Sequence, residues 1–141
     1  MALVDLWNTS PGELQGKQVQ QVIAFAGAGK LTDGGEASAD FRQFLSLVPS
    51  DLLRTYADEC LTSKFDNSGL ALQDIVNQVG RRLGFTVTDG RYRGVQGQPG
   101  FDGIWRSKDG MSIVVEVKTT DAYRIDLETV AVTCPQNPLR G

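Results

Sequence analysis

The sequence predicts an α+β chain, in which a small helical N-terminal layer precedes an α/β core running helix, strand, strand, strand. Three observations carry that expectation. Apolar residues repeat at helical spacing after Ser38 and after Ser50. The repeat is most regular from Leu70 to Leu83, where Leu72, Ile75, Val76, Val79 and Leu83 recur at i, i+3, i+4, i+7 and i+11. Three short apolar runs bounded by glycine and aspartate then follow.

Taken in order, Ser10-Pro11-Gly12-Glu13 reads as a capping box with proline at the first helical position, predicting a helix from Pro11 to about Phe25. Gly27-Ala28-Gly29-Lys30 ends it. That segment is not a phosphate-binding P-loop, because Ala24 and Leu31 stand where the pattern needs glycine and Ser/Thr. Ser38 opens a second helix with Phe41, Phe44, Leu45 and Val48 on one face, and Pro49 stops it. Ser50 caps a third, bearing Leu52, Leu53, Tyr56, Ala57, Cys60 and Leu61. After the polar turn Lys64–Gly69 comes the amphipathic helix, closed by Gly84. Phe85–Thr88 is the first strand. Phe101–Trp105 and Met111–Val117 form a hairpin about an Asp-Gly turn. Asp126–Val132 reads as a short helix or strand, and Cys134–Gly141 as an irregular tail. The expected division is a helical region over 1–66 packing on the core, a core over 67–132, and a tail over 133–141.

Length and composition suit a single globular domain: 141 residues, 40% apolar and 22% charged. No apolar run approaches the roughly 20 residues of a membrane span, and the start lacks a basic-then-apolar leader. A cytoplasmic protein without a membrane partner is expected. The chain has no histidine and two cysteines, Cys60 and Cys134, far apart. Histidine-dependent hydrolases and a zinc centre are therefore excluded within this chain. Carboxylates, lysine, hydroxyls and a hard, oxygen-preferring cation remain.

Residues 1–68 carry five basic and nine acidic side chains, residues 69–141 nine and eight. With Asp102 and Glu116 set aside as cation ligands, Arg81, Arg82, Arg91, Arg93, Arg106, Lys108 and Arg124 make the second half locally basic. That suits a phosphate-bearing substrate, although arginines on helix faces are commonly just solvated.

Chemistry concentrates in Gly100–Thr120. Asp102 interrupts one apolar run, and Glu116 with Lys118 interrupts the next. Residues two apart in a strand share a face, so Glu116 and Lys118 project together while Val117 points to the core. A hairpin brings Asp102 beside Glu116. Two adjacent carboxylates repel unless a cation lies between them, which points to Mg²⁺ or Mn²⁺ held by Asp102, Glu116 and the Val117 carbonyl. Lys118 would orient the attacking water and stabilise charge on the phosphate. The bland alternative is an exposed strand face with a cross-strand ion pair. Gly-Phe-Asp-Gly would expose Asp102 on flexible backbone. The basic, aromatic turn Arg91-Tyr92-Arg93 would track a phosphate backbone and stack a base, or else be a turn whose tyrosine packs on the sheet. Thr119, Thr120 and Tyr123 would lie near the scissile bond.

The helix ending Arg82-Leu83-Gly84-Phe85, then Phe101-Asp102-Gly103, then Val115-Glu116-Val117-Lys118 resembles the PD-(D/E)xK nucleases, the restriction-endonuclease-like superfamily that includes Mrr-like enzymes. The resemblance covers about residues 69–128. It implies an αβββαβ core, divalent-metal-dependent phosphodiester hydrolysis and, often, dimers. The helix position that commonly holds Glu is Gln73 here. At 100° per residue Gln73 borders the apolar face and is the residue to reach the site, through its amide oxygen or a water, whereas Asp74 is expected to be a solvated helix acid. Only 23 residues follow Lys118, so the last helix and strand are short or missing: the core is abbreviated, completed by a second chain, or truncated. An open sheet edge predicts a homodimer. The expected function is Mg²⁺-dependent endonucleolytic cleavage of DNA rather than RNA, of restriction or repair type. The alternatives are a nuclease-like fold that binds nucleic acid or a protein without cutting, and a purely structural role in a larger assembly.

Overall fold

The computed structural model describes residues 1–94, 96–97 and 100–119. Thr120, Tyr123, Arg124, the Asp126–Val132 segment and the Cys134–Gly141 tail lie outside the described residues. The element order is α1 (Ala2–Thr9), a 3-10 turn (Pro11–Glu13), α2 (Val19–Ile23), α3 (Glu36–Leu47), α4 (Ser50–Thr62), α5 (Ser68–Arg82), β1 (Thr86–Asp89), β2 (Gly103–Arg106) and β3 (Ser112–Val115). The strands form one antiparallel sheet in the order β1-β2-β3. Among the described residues the helices come first and the small antiparallel sheet follows, the α+β class that the patterning required. Among the described residues no helix is long and apolar enough to cross a membrane.

The N-terminal third departs from expectation. In place of one helix over Pro11–Phe25, the chain makes a 3-10 turn, bends at Gly16 with φ +83°, and restarts as the short α2. Ser10 makes no side-chain capping bond. The cap lies instead at Gln18, whose N–H donates to the Gln21 side chain at 2.9 Å. The unanticipated α1 is held from a distance. Buried Asp40 of α3 accepts the Leu3 and Val4 amides at 2.8 and 3.1 Å, satisfying two donors that a helix start leaves orphaned. Glu59 of α4 likewise accepts the Val19 amide at the start of α2. Remote carboxylates thus do the work that local capping residues were expected to do. Ser38 lies inside α3, which begins at Glu36. Its hydroxyl both accepts from and donates to the Thr32 backbone, fastening the preceding turn.

The core sits among the helices. Leu3, Leu14, Val19, Val22, Ile23, Phe41, Phe44, Leu45, Leu53 and Tyr56 are buried together with Ala71, Leu72 and Ile75 of α5. One apolar core therefore runs from the N-terminal layer onto one side of α5. Its other side meets the sheet through small and polar residues. Gly80 lets Trp105 of β2 approach so closely that a Cβ there would come within 2.5–2.9 Å of the indole. Gly80 and Arg81 lie three and four residues beyond Asn77, itself four beyond Gln73, which places them on one helix face. Val79 and Leu83, the last members of the apolar repeat, are exposed.

Asp74 overturns the expectation of a solvated acid. It is 1% exposed, and its carboxylate accepts Arg42 Nε of α3 at 2.9 Å and the Tyr92 hydroxyl. Arg81 and Arg82 are likewise engaged. Arg81 pairs with Asp89 at the end of β1, and Arg82 donates to the Leu45 and Val48 carbonyls that close α3. Neither belongs to a loose basic surface.

Candidate active site

The β2–β3 hairpin turns through Lys108-Asp109-Gly110, with Gly110 at φ +90° and the Ser107 amide bonded to the Met111 carbonyl at 2.8 Å. That is a three-residue hairpin with glycine at its left-handed position. It sets the register that matters. Gly103 pairs with Val115, and the Asp102 amide donates to the Val115 carbonyl at 3.1 Å. Asp102 and Glu116 lie just beyond this register, at the ends of β2 and β3, where the Glu116 charge acts on the Asp102 carboxyl. Gly103 and Trp105, two apart on β2, both face α5, against Asn77 and Gly80.

Asp102 is held at both ends. Its Oδ2 accepts the Val117 amide at 2.6 Å, so the first carboxylate is bonded to the backbone between Glu116 and Lys118. Its carbonyl accepts three donors: the Gly90 amide at 2.9 Å, Asn77 Nδ2 at 2.8 Å and Gln73 Nε2 at 3.3 Å. Gln73 also donates to the Gly90 carbonyl at 3.1 Å. Gln73 therefore reaches the Asp102 backbone through its amide nitrogen, not the expected amide oxygen. Asn77 was not anticipated. It is fully buried, and its Oδ1 accepts the Trp105 indole N–H at 3.1 Å. Its position one turn after Gln73 was the available signal.

Gly103 serves this contact and not flexibility. A Cβ there would sit 2.9 Å from Asn77 Cγ and 3.2 Å from Nδ2, and closer still to Oδ1. Gly90 is similarly confined against the Phe101 carbonyl and the Asp102 backbone. The Gly-Phe-Asp-Gly segment is clamped, which is what orienting a carboxylate requires.

Glu116 and Lys118 are each 41% exposed, with Oε2 and Nζ 3.5 Å apart, and Val117 between them packs against the core. Burial, helped by the like charge of Glu116, raises the Asp102 carboxyl above its ordinary value. The Val117 amide and the Lys118 ammonium pull the other way. Among the described residues no three or more acidic or thiol groups converge as a metal cluster. The candidate ligands are two carboxylates and a carbonyl.

The Arg91–Arg93 turn has a definite arrangement. The Tyr92 hydroxyl donates to Asp74, Arg42 lies over the ring at 5.0 Å, and the Tyr92 and Arg93 amides donate to the Asp33 carboxylate at 2.8 and 3.1 Å. Tyr92 packs against the helical core rather than the sheet, while the Arg91 and Arg93 residues are exposed. Thr119 is half-buried. Two clefts of about 400 and 390 Å³ meet at Asp66 and Asn67, and neither is lined by Asp102, Glu116 or Lys118. Compared with known proteins, the chain matches no family model, no curated protein and no solved structure.

Proposed function

We propose that this chain is a divalent-metal-dependent nuclease domain of the PD-(D/E)xK type, hydrolysing phosphodiester bonds in DNA. The observation that carries the reading is the Asp102–Val117 hydrogen bond, which ties one carboxylate to the backbone joining Glu116 to Lys118. The donor set fits a hard cation. The Val117 amide engages Asp102 through Oδ2, Glu116 is half-exposed, and magnesium takes one or two carboxylates with water and phosphate oxygens completing its shell. Asp102, Glu116 and the Val117 carbonyl would hold it. When bound, Mg²⁺ or Mn²⁺ would supply Lewis-acid polarisation of the phosphate and relief of the carboxylate repulsion.

The chain's own groups have separate tasks. Lys118 donates hydrogen bonds toward the attacking water and toward charge accumulating on the phosphate oxygens. Gln73 and Asn77 keep the Asp102 backbone in place. Arg91 and Arg93 give the substrate strand a cationic flank. A homodimer through the sheet edge belongs to the same proposal, since β1 and β3 are the outer strands of the described sheet; sedimentation velocity tests it. With Mg²⁺ or Mn²⁺, DNA should be cleaved, and Glu116→Ala or Lys118→Ala should lower the rate by about 100-fold or more. Cleavage unchanged in both variants refutes the site. A Mn²⁺ titration should show heat for the wild type and none for Asp102→Ala.

One observation favours a second reading, in which the fold binds nucleic acid without cutting it. The Gln73 amide nitrogen is committed to two backbone carbonyls, where a glutamate would offer a further anionic ligand. Nucleic-acid affinity that survives EDTA, with no cleavage in any divalent cation, would decide for it.

A further inference from the structure

The cleft of about 390 Å³ lies between the turn carrying Lys30, Leu31, Thr32 and Asp33, the start of α5 at Asp66, Asn67 and Leu70, and the Tyr92–Arg93 turn. That volume is of ligand-pocket size. We propose that it is a phosphate subsite for a DNA strand, with Lys30 and Arg93 as its two cations. This rests on the nucleic-acid reading above and extends it to a surface contributed by the N-terminal layer.

Three features support the assignment. First, the cleft is assembled by specific bonds between distant segments. Asp33 accepts the Tyr92 and Arg93 amides, and the Tyr92 ring is fixed by the half-buried Arg42 and the buried Asp74. Those bonds set the walls without using the Lys30 or Arg93 side chain.

Second, the lining carries two cations, Lys30 and Arg93, and two carboxylates, Asp33 and Asp66, and it is the cations that are left to meet a ligand. Asp33 is already satisfied by two amide donors, whereas Lys30 and Arg93 are exposed and have no ion pair or side-chain hydrogen bond among the described residues. Asp66 also lines the cleft, so the subsite is not uniformly positive. Its carboxylate suits the sugar or base hydrogens that accompany a nucleotide phosphate, and it opposes a bare phosphate ion.

Third, the cleft is linked to the candidate active site through Gly90. The Gly90 amide is bonded to the Asp102 carbonyl, and Arg93 follows Gly90 by three residues. Three Cα steps of 3.8 Å bound the separation of Gly90 and Arg93 to about 11 Å. That is at most about three nucleotide rises of 3.4 Å. One strand would span both places.

The test is binding in EDTA, without cleavage. A fluorescent single-stranded DNA 12-mer is titrated by anisotropy at several salt concentrations, and inorganic phosphate by calorimetry. Lys30→Gln with Arg93→Gln should lower low-salt DNA affinity about tenfold, and flatten the slope of log affinity against log salt by about 0.7 for each lost contact. Arg54→Gln, an exposed charge on α4, should change neither. Asp66→Asn should tighten inorganic phosphate. Affinity and slope unaltered in the double variant, or an equal fall in Arg54→Gln, overturns the proposal. So does a wild type that binds phosphate but no DNA. Glu116→Ala separates the two readings. If it binds DNA normally, and the cleft variants do not, the subsite stands whatever becomes of cleavage. If cleavage depends on Glu116 while the cleft variants bind as wild type, only the subsite falls.

Discussion

Replacing Gly103 by alanine tests how the Asp102 strand is held. The new methyl would lie 2.9 Å from Asn77 Cγ, about 0.5 Å short of ordinary contact, and nearer still to Oδ1. Asn77 cannot swing aside, because it is fully buried and bonded at both ends, to the Asp102 carbonyl at 2.8 Å and the Trp105 indole at 3.1 Å. Overpacking of this kind costs about 1–3 kcal/mol. Losing both asparagine bonds adds about 0.5–1.5 kcal/mol each, so Gly103→Ala should destabilise by about 2–6 kcal/mol. Asn77→Ala alone should cost about 1–3 kcal/mol, since the Gly90 amide still satisfies the Asp102 carbonyl. In the double variant the obstruction is gone and the bonds are counted only once. Its loss should fall short of the sum by at least about 1 kcal/mol. Urea unfolding followed by tryptophan fluorescence measures all three. Additivity within about 0.5 kcal/mol, the behaviour of independent sites, would refute the close approach. It would return Gly103 to the role of a flexible hinge.

Two further outcomes follow from buried carboxylates. Burial pushes Asp74 up to about 6, against the pull of Arg42 and Tyr92. A carboxyl raised in the folded state favours folding fully below its ordinary value of 3.8, and that contribution is lost as pH rises through 6. Between pH 4 and 7 the wild type should therefore lose about 3 kcal/mol relative to Asp74→Asn, from about 2 units at 1.36 kcal/mol each; a stability difference independent of pH in urea titrations would contradict this. Asp40→Ala should cost about 2–4 kcal/mol by orphaning the Leu3 and Val4 amides. The same substitution should speed hydrogen exchange at those two amides well before the rest of the core, and unchanged exchange there would disprove the remote cap.

Much of the architecture was legible from local patterns. Helices ending at Pro49 and Gly84, and a hairpin turning at Asp109-Gly110, announce themselves because proline, a left-handed glycine and strand alternation act within a few residues. That hairpin brings the Asp102 carboxylate onto the Val117 amide. The first helix was misread for a related reason. Ser10-Pro11-Gly12-Glu13 satisfies a local capping rule, whereas the observed helix starts draw on Asp40 and Glu59, dozens of residues away. The face α5 turns to the sheet was invisible for another. Hydrophobic periodicity detects an apolar stripe, and Gln73, Asn77 and Gly80 form a polar and small one.

By itself, then, the sequence determined the class of the fold, the hairpin, and which residues carry charge where two strands meet, since these depend on backbone preferences and on side-chain alternation over short spans. Tertiary structure alone decided what those charges and amides touch. It buried Asp74 between Arg42 and Tyr92, turned Gln73 onto backbone, recruited Asn77, and joined Lys30 to Arg93 across one cleft. The physical reason is that burial and long-range hydrogen bonding depend on which segments pack together. No window of sequence contains both partners of a contact such as Asp33 with Arg93.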